Sequence, residues 1–203
     1  HMLKKAVKKF LSVVLATAMV VSSITVYGAS VKVPEDRVLT SVKEYSIAPG
    51  IKEKHITTVD KDGNNQVQAY MAEVDLKTPS AGMMAGYKDY DKTGKWGMQT
   101  VRDQVKAAEK ATGKTIVAAI NGDYFDLGTG QPWGALVMGG DIVQSQNEHP
   151  YFAIMKDGTA DCREAYEPLD NVVEAIGSPF FLVKDGKALE ELAYDPYTSP
   201  RCA

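Results

Sequence analysis

The chain has 203 residues, 44% of them apolar and 24% charged. That is ordinary globular composition, enough for one sizeable domain or a small pair, and it excludes a disordered chain. The 23 Lys and Arg stand against 26 Asp and Glu, and the basic residues are scattered apart from one N-terminal cluster, so nothing suggests a nucleic-acid partner.

That cluster begins "MLKKAVKKFLSVVLATAMVVSSITVYGAS". Lys4, Lys5, Lys8 and Lys9 make a positive start, Phe10 to Val21 an apolar core, and Val26-Tyr27-Gly28-Ala29 a small-residue end. Residues 1–29 therefore read as a secretory signal peptide, cut after Gly28 or Ala29, with His1 extraneous to the pattern. The uncharged run reaches Val31, so an uncleaved membrane anchor is the alternative, weakened by Ser22, Ser23 and Thr25. Either reading places the rest outside the cytoplasmic membrane, secreted or at the cell surface, with membrane contact only through this segment. Removing it takes away four lysines and no acids, leaving a more acidic chain. Export permits a disulfide, but Cys162 and Cys202 are too few for a disulfide framework. Two reduced thiols are the default and one bridge the alternative.

Residues 30–54 have weak periodicity and read as a lead-in segment with one strand. From His55, "HITTV", "DKDGNN" and "QVQAYMAEVDL" give strand, turn, strand. Asp60, Asp62 and Asn64 imitate a calcium loop, but Gly63 comes too early and no closing Glu follows, so the turn is preferred. Residues 78–97 lack a period and read as a long loop, either a pocket wall or lid or a solvated excursion.

"TVRDQVKAAEKATG" is the best helix. Thr100 can cap it, with Asp103 in the reciprocal position; Val101, Val105, Ala108 and Thr112 share a face; Gly113 ends it. The following "KTIVAAI" is apolar on both faces, which predicts a central strand buried on both. Three hairpins are expected beyond Gly134, turning at Gly139-Gly140, Lys156-Asp157-Gly158 and Lys184-Asp185-Gly186. "LDNVVEAIGS" is a short helix or strand. The expected class is α+β, a mixed, hairpin-rich β-sheet packed with a few helices. "YDPYTSPRCA" ends the chain without a closing element, so a C-terminal truncation is expected.

The stretch with chemical content is "AAINGDYFDLGTGQPWG". A polar turn leaving a buried strand is a usual place for a ligand site. Asn121 can anchor the turn or touch a ligand, and Gly122 permits a tight turn or close backbone approach. Asp123 and Asp126 can flank a pocket, hold a divalent cation or cap backbone amides. Tyr124, Phe125 and Trp133 offer flat surface for a sugar face or for the core. Spacing alone leaves a capped turn with buried aromatics equally open. His149, before Pro150, is a general acid or base or simply a loop marker. No His, Cys or Glu grouping has metal-ligand spacing.

In this order, "AAINGDYFD", "GQPWGALVMGGDIVQS", "YFAIMKDG", "AIGSPFFLVKDGKAL" and "SPRCA" resemble the phosphodiester glycosidase family. The family pattern is an NGGFF- or NGDFF-like turn, a Pro-x-Gly step, a DG hairpin and a PRTAIG-like segment. Here these are Asn121 to Phe125, Pro132-Trp133-Gly134 and Pro200-Arg201-Cys202-Ala203, so the resemblance runs from about His55 to the end. Cys202 replaces the family's usual Thr, and a later glycine-rich NLDGGGS-like stretch that completes the site is absent.

The resemblance implies a 55–203 catalytic domain that lacks its C-terminal part, and hydrolysis of the C1–O bond of a sugar-1-phosphodiester. N-acetylglucosamine-1-phosphodiester is the reference substrate; exopolysaccharide or cell-wall polymers are the context of bacterial members. Phosphate is a better leaving group than an alcohol, so strong acid assistance matters less than neutralising phosphate, stabilising the oxocarbenium-like centre and directing water. The resemblance assigns phosphate to Arg201, whose fork suits bidentate pairing, where spacing alone would pair it with Asp195 or Glu191. Asp123 and Asp126 take the catalytic roles; Asn121, Gly122, Tyr124, Trp133 and Arg201 bind substrate. A surface module binding anionic glycans and a metal-dependent phosphodiesterase are the alternatives.

Overall fold

The structure, a computed structural model, describes residues 33–188. The signal segment, Arg201 and Cys202 lie outside the described residues. Among the described residues no helix is long and apolar enough to cross a membrane. The fold is α+β and mostly antiparallel strand, in two compact units that divide near residues 47–51 and 73–74.

The first unit is a three-stranded sheet in the order β1-β2-β3, with β1 Arg37–Ala48, β2 Ile51–Asp60 and β3 Val67–Val74. Residues 30–54, expected to hold one strand, contain all of β1 and the start of β2. Their periodicity is weak because both strands are largely half-exposed, so no strict apolar alternation is required of them. Pro49-Gly50 makes the turn, with Gly50 at φ 74°. Cross-strand charges help tie the sheet: Lys54 reaches Glu73 at 2.9 Å and Glu44 at 3.6 Å. His55 sits between the rings of Tyr45 and Tyr70 and bonds Glu53. The 61–66 connection is a turn, as expected: Asp60 Oδ1 accepts from the backbone N–H of Asp62 and of Asn64.

The second unit contains a five-stranded antiparallel sheet in the order β5-β4-β8-β6-β7. The strands are β4 Leu136–Met138, β5 Asp141–Gln144, β6 Tyr151–Met155, β7 Ala160–Arg163 and β8 Val172–Gly177. The expected hairpins join β4 to β5 through Gly139-Gly140 and β6 to β7 through Gly158, all three glycines at positive φ. The ambiguous "NVVEAIGS" is β8, at the middle of the sheet. Both sheet faces are covered. Ala135, Val137, Tyr151, Ala153, Val172 and Ala175 form one cluster, and Leu136 and Met138 join Ala85 in another. The third hairpin is short, β9 Val183–Lys184 against β10 Lys187–Ala188.

Helix α1, Val101–Thr112, has the expected ends. Thr100 Oγ1 accepts from Asp103 N–H at 3.2 Å and donates to Asp103 Oδ2 at 2.8 Å, and Gly113 adopts φ 69°. The 78–97 loop contains a 3-10 turn at Lys88–Tyr90 and packs in part against the five-stranded sheet; none of its described residues lines the cleft beside the 123–134 loop. Its Ala85 N–H donates to the buried Glu174 carboxylate at 3.0 Å, and Tyr87 and Tyr90 pack against the Leu136 and Met138 cluster.

A second expectation fails outright. "KTIVAAI" is not a central strand: residues 115–120 have no strand pairing among the described residues, Ile120 is 71% exposed and Val117 39%. An apolar run becomes a buried strand only where ladder partners and covering layers exist, and the five-stranded sheet gives it neither. Its start is held by two bonds to side chains of the helix, Lys114 N–H to Thr112 Oγ1 at 3.3 Å and Ile116 N–H to Glu109 Oε1 at 2.9 Å.

Candidate active site

The 123–134 segment is a closed loop. Trp133 N–H donates to Tyr124 O at 2.9 Å, Asp126 N–H to Gln131 O at 2.9 Å and Gly130 N–H to Asp126 O at 2.7 Å. Phe125 and Pro132 form an isolated bridge between its arms. Asp126 organises the tip: its Oδ1 accepts from Gly128 N–H, Thr129 N–H and Thr129 Oγ1 at 2.7–2.9 Å. The loop is thus capped, as one sequence reading held, but the aromatics are not buried. Tyr124, Phe125 and Trp133 are 41–50% exposed, and the Tyr124 and Trp133 rings lie 5.7 Å apart.

Asp123 closes the loop's base. Its Oδ2 accepts from Gly134 N–H at 2.7 Å, just before β4 begins. Three glycines leave room for this arrangement. A Cβ on Gly177, the last residue of β8, would stand 2.5 Å from Asp123 Oδ2 and 2.6 Å from Gly134 Cα. One on Gly134 would stand 2.8 Å from Gly177 Cα, and one on Gly122 would run into Ile176 Cδ1. Gly122 therefore serves close approach rather than a left-handed turn. The carboxyl is wedged where β4 begins and β8 ends.

The two carboxyls differ in their environments. Burial pushes Asp123 above the usual carboxylate value, against the hydrogen bonds from Gly134 and Tyr124 and the charge of His149. Hydrogen bonds from the Thr129 side chain and backbone hold Asp126 below it. Carboxyls whose pKa values are pushed apart can divide proton transfer from charge stabilisation; here Asp123 stands at the base of the loop and Asp126 at its tip. They suit a cation poorly: Asp123 Oδ2 and Asp126 Oδ1 already accept backbone donors. Among the described residues no group of three or more His, Cys, Asp and Glu gathers to hold a metal.

Beside the loop opens a cleft of about 410 Å3 lined by Asp126, Thr129, Gln131, Pro132, Trp133, Gln146 and His149. Asp126 and Trp133 thus come together with polar groups that can meet sugar hydroxyls. Asn121 is exposed just upstream and makes no side-chain bond among the described residues. Sequence reasoning gave no role to Gly177, though it stands in the quoted "AIGSPF", and none to Tyr87. The Tyr87 hydroxyl accepts from Gly97 N–H at 2.9 Å and lies 2.7 Å from both Gly97 O and Gly130 O, joining the 78–97 segment to the loop. A lone Tyr in a Gly- and Tyr-rich stretch carries no signal for that role. Cys162, on β7, is a free, exposed thiol.

Residues 114–203 match the phosphodiester glycosidase family model. The family resemblance read from the motifs is borne out there. Among solved structures the chain is similar to the zebrafish N-acetylglucosamine-1-phosphodiester alpha-N-acetylglucosaminidase catalytic domain, auto-inhibited by its pro-peptide. Identity is 20% and the TM-score 0.52, over 75% of this chain and 51% of that one. The likeness is one of fold, and this chain spans about half the length of the zebrafish domain. No curated protein matches the chain. The phosphodiester glycosidase match begins at Lys114, so it takes in every candidate site residue of the loop and the three glycines around Asp123.

Proposed function

We propose that the protein is a glycosidase-type hydrolase that cleaves the C1–O bond of a sugar-1-phosphodiester, with N-acetylglucosamine-1-phosphodiester as the reference substrate. The observation that carries this reading is the Asp123 carboxyl, wedged between Gly134 and Gly177 at the end of the sheet and raised in pKa by burial. The family match and the fold likeness support it.

In this reading the sugar lies against Trp133, and Asp126, held ionised, faces the positive charge that grows at C1. Asp123 is the proton acceptor, because an ionised carboxylate of raised pKa is the stronger base. A water oxygen bonds to C1 as the C1–O bond breaks. The bonding pair leaves with the phosphate oxygen, and the water proton passes to Asp123 and on to solvent. Arg201 is the proposed partner of the leaving phosphate. The N-terminal segment supports export to the cell surface or medium, where wall or exopolysaccharide polymers would supply the substrate.

The test uses the full-length protein and an N-acetylglucosamine-1-phospho-alkyl substrate in ¹⁸O water, with and without EDTA, beside Asp123→Asn and Arg201→Ala. Label in the released sugar, lost in the variants, is the expected result. Label in phosphate, abolished by EDTA, would replace it with metal-dependent phosphodiesterase chemistry. The exposed Tyr124 and Trp133 rings favour a second reading, a surface module for anionic glycans; binding without turnover of any sugar phosphodiester would establish that instead.

A further inference from the structure

The cleft presents an electrostatic problem to any phosphorylated sugar. Asp126 lines it, Asp123 stands at the base of the same loop, and among the described residues that line it only His149 can carry positive charge. An anion entering a cleft with one carboxylate in its wall is repelled unless a cation answers it. The sequence left His149 as an acid or base or a mere loop marker.

The fold brings His149 to the same end of β8 as Asp123. It lies in the connection from β5 to β6. Pro150 O, the next carbonyl, accepts from Ser178 N–H at 2.8 Å, and Tyr151 pairs with Gly177. Gly177 is the residue against which the Asp123 carboxyl packs. The same end of β8 thus places both side chains, and the charge of His149 acts on Asp123. The imidazole is half-exposed on the cleft, and neither ring nitrogen has a hydrogen-bond partner among the described residues. His55 shows the contrast: it is spent on Glu53 and two tyrosine rings.

We infer that His149 is a specificity-determining residue that binds the phosphate group of the sugar ligand and so selects anionic over neutral sugars in this cleft. The inference rests on the sugar-phosphodiester reading above for its substrate class. As imidazolium both ring N–H groups donate, and a charge-assisted bond to a phosphate oxygen is stronger than a neutral one. Gln131 and Gln146 remain for hydroxyls and Trp133 for the ring face. Arg201, assigned to phosphate from the family pattern, would be a second cation rather than a substitute.

Calorimetry on the full-length protein tests this at mildly acidic pH. The probes are N-acetylglucosamine-1-phosphate and the neutral methyl N-acetylglucosaminide; the proteins are wild type, His149→Gln and His149→Lys. Wild type should prefer the phosphate by about tenfold or more, the magnitude of one charged hydrogen bond. His149→Gln should cut that preference about tenfold, leaving the share of Arg201, while still binding the methyl glycoside, and His149→Lys should keep it. A merely structural His149 would affect both sugars together and would not be rescued by Lys. No preference in wild type, or a preference unchanged in His149→Gln, overturns the inference. Turnover of the N-acetylglucosamine-1-phospho-alkyl substrate by the same proteins separates the two readings. Phosphate preference without hydrolysis removes the hydrolase and leaves this role; hydrolysis with an unchanged preference in His149→Gln does the reverse.

Discussion

Adding one methyl group at Gly177 tests whether the wedge around Asp123 is as tight as its geometry states. The new Cβ would meet Asp123 Oδ2 at 2.5 Å and Gly134 Cα at 2.6 Å. Comfortable heavy-atom contact lies at about 3.5–4.0 Å, so each neighbour must retreat by roughly 1 Å. Gly134 cannot retreat cheaply: it leads directly into β4, whose Leu136 and Val137 pair with Ile176 and Ala175. Asp123 can, but only by releasing Gly134 N–H. Overpacking of this kind costs about 1–3 kcal/mol, and a 1 Å displacement of a reacting group costs on the order of 100-fold in rate. Gly177→Ala should therefore lower the thermal midpoint by about 2–4 °C for each kcal/mol lost and reduce kcat/KM on a sugar phosphodiester by on the order of 100-fold. Gly134→Ala should behave alike. Gly122→Ala should be milder, since its obstacle is the end of the Ile176 side chain. Gly82→Ala, with open space around it, should change neither quantity. If Gly177→Ala melted and turned over like Gly82→Ala, the wedge would not hold Asp123 and the reasoning would be wrong.

The buried Asp123 also gives stability a pH dependence. Its folded pKa lies above the ordinary 3.8 because burial disfavours the charge, so the folded chain holds that proton more tightly than the unfolded one. Its contribution is present in full below about 3.8 and is lost as pH rises through the raised folded value. In urea titrations Asp123→Asn should therefore gain on wild type as pH rises across that window; an advantage of wild type growing there would refute the assignment. Asp126 tests cap against chemistry: Asp126→Asn keeps an acceptor oxygen for the Gly128 and Thr129 donors and should lose turnover with only a small change in melting temperature. Asp126→Ala should also lower the melting temperature by loosening the loop, and full activity in Asp126→Asn would reduce the residue to a cap. Tyr87→Phe strands Gly97 N–H and should cost about 1–3 kcal/mol, seen as a lower melting temperature with faster amide exchange at Gly97; unchanged exchange there would deny the strut.

The elements whose signals are local were legible in the sequence. Thr100, Asp103 and Gly113 bound α1 because capping needs only near neighbours, and the Gly139-Gly140 and Asp157-Gly158 hairpins follow from turn chemistry alone. Asp123 and Gly122 stood out for the same reason, as a polar turn after an apolar run. The partners that give Asp123 its setting come from far along the chain. Gly177 and His149 reach it only because β8 pairs with β4 and β6, and no local pattern encodes that. The failure at "KTIVAAI" has the same source. An apolar run states what a segment would bury, whereas a strand also needs a neighbour to bond with.

That unpaired run decides where the stiffness of Asp123 originates. Residues 117–120 make no backbone hydrogen bond among the described residues, so their amide hydrogens should exchange almost as fast as those of a free peptide. Downstream, Asp123 is clasped to Gly134 and lodged against β8. The carboxyl is thus moored at its bow alone. Strain or a substitution in 117–120 is absorbed by the slack line behind it, and the position of Asp123 is inherited from strands that the chain has yet to make when it passes through residue 123.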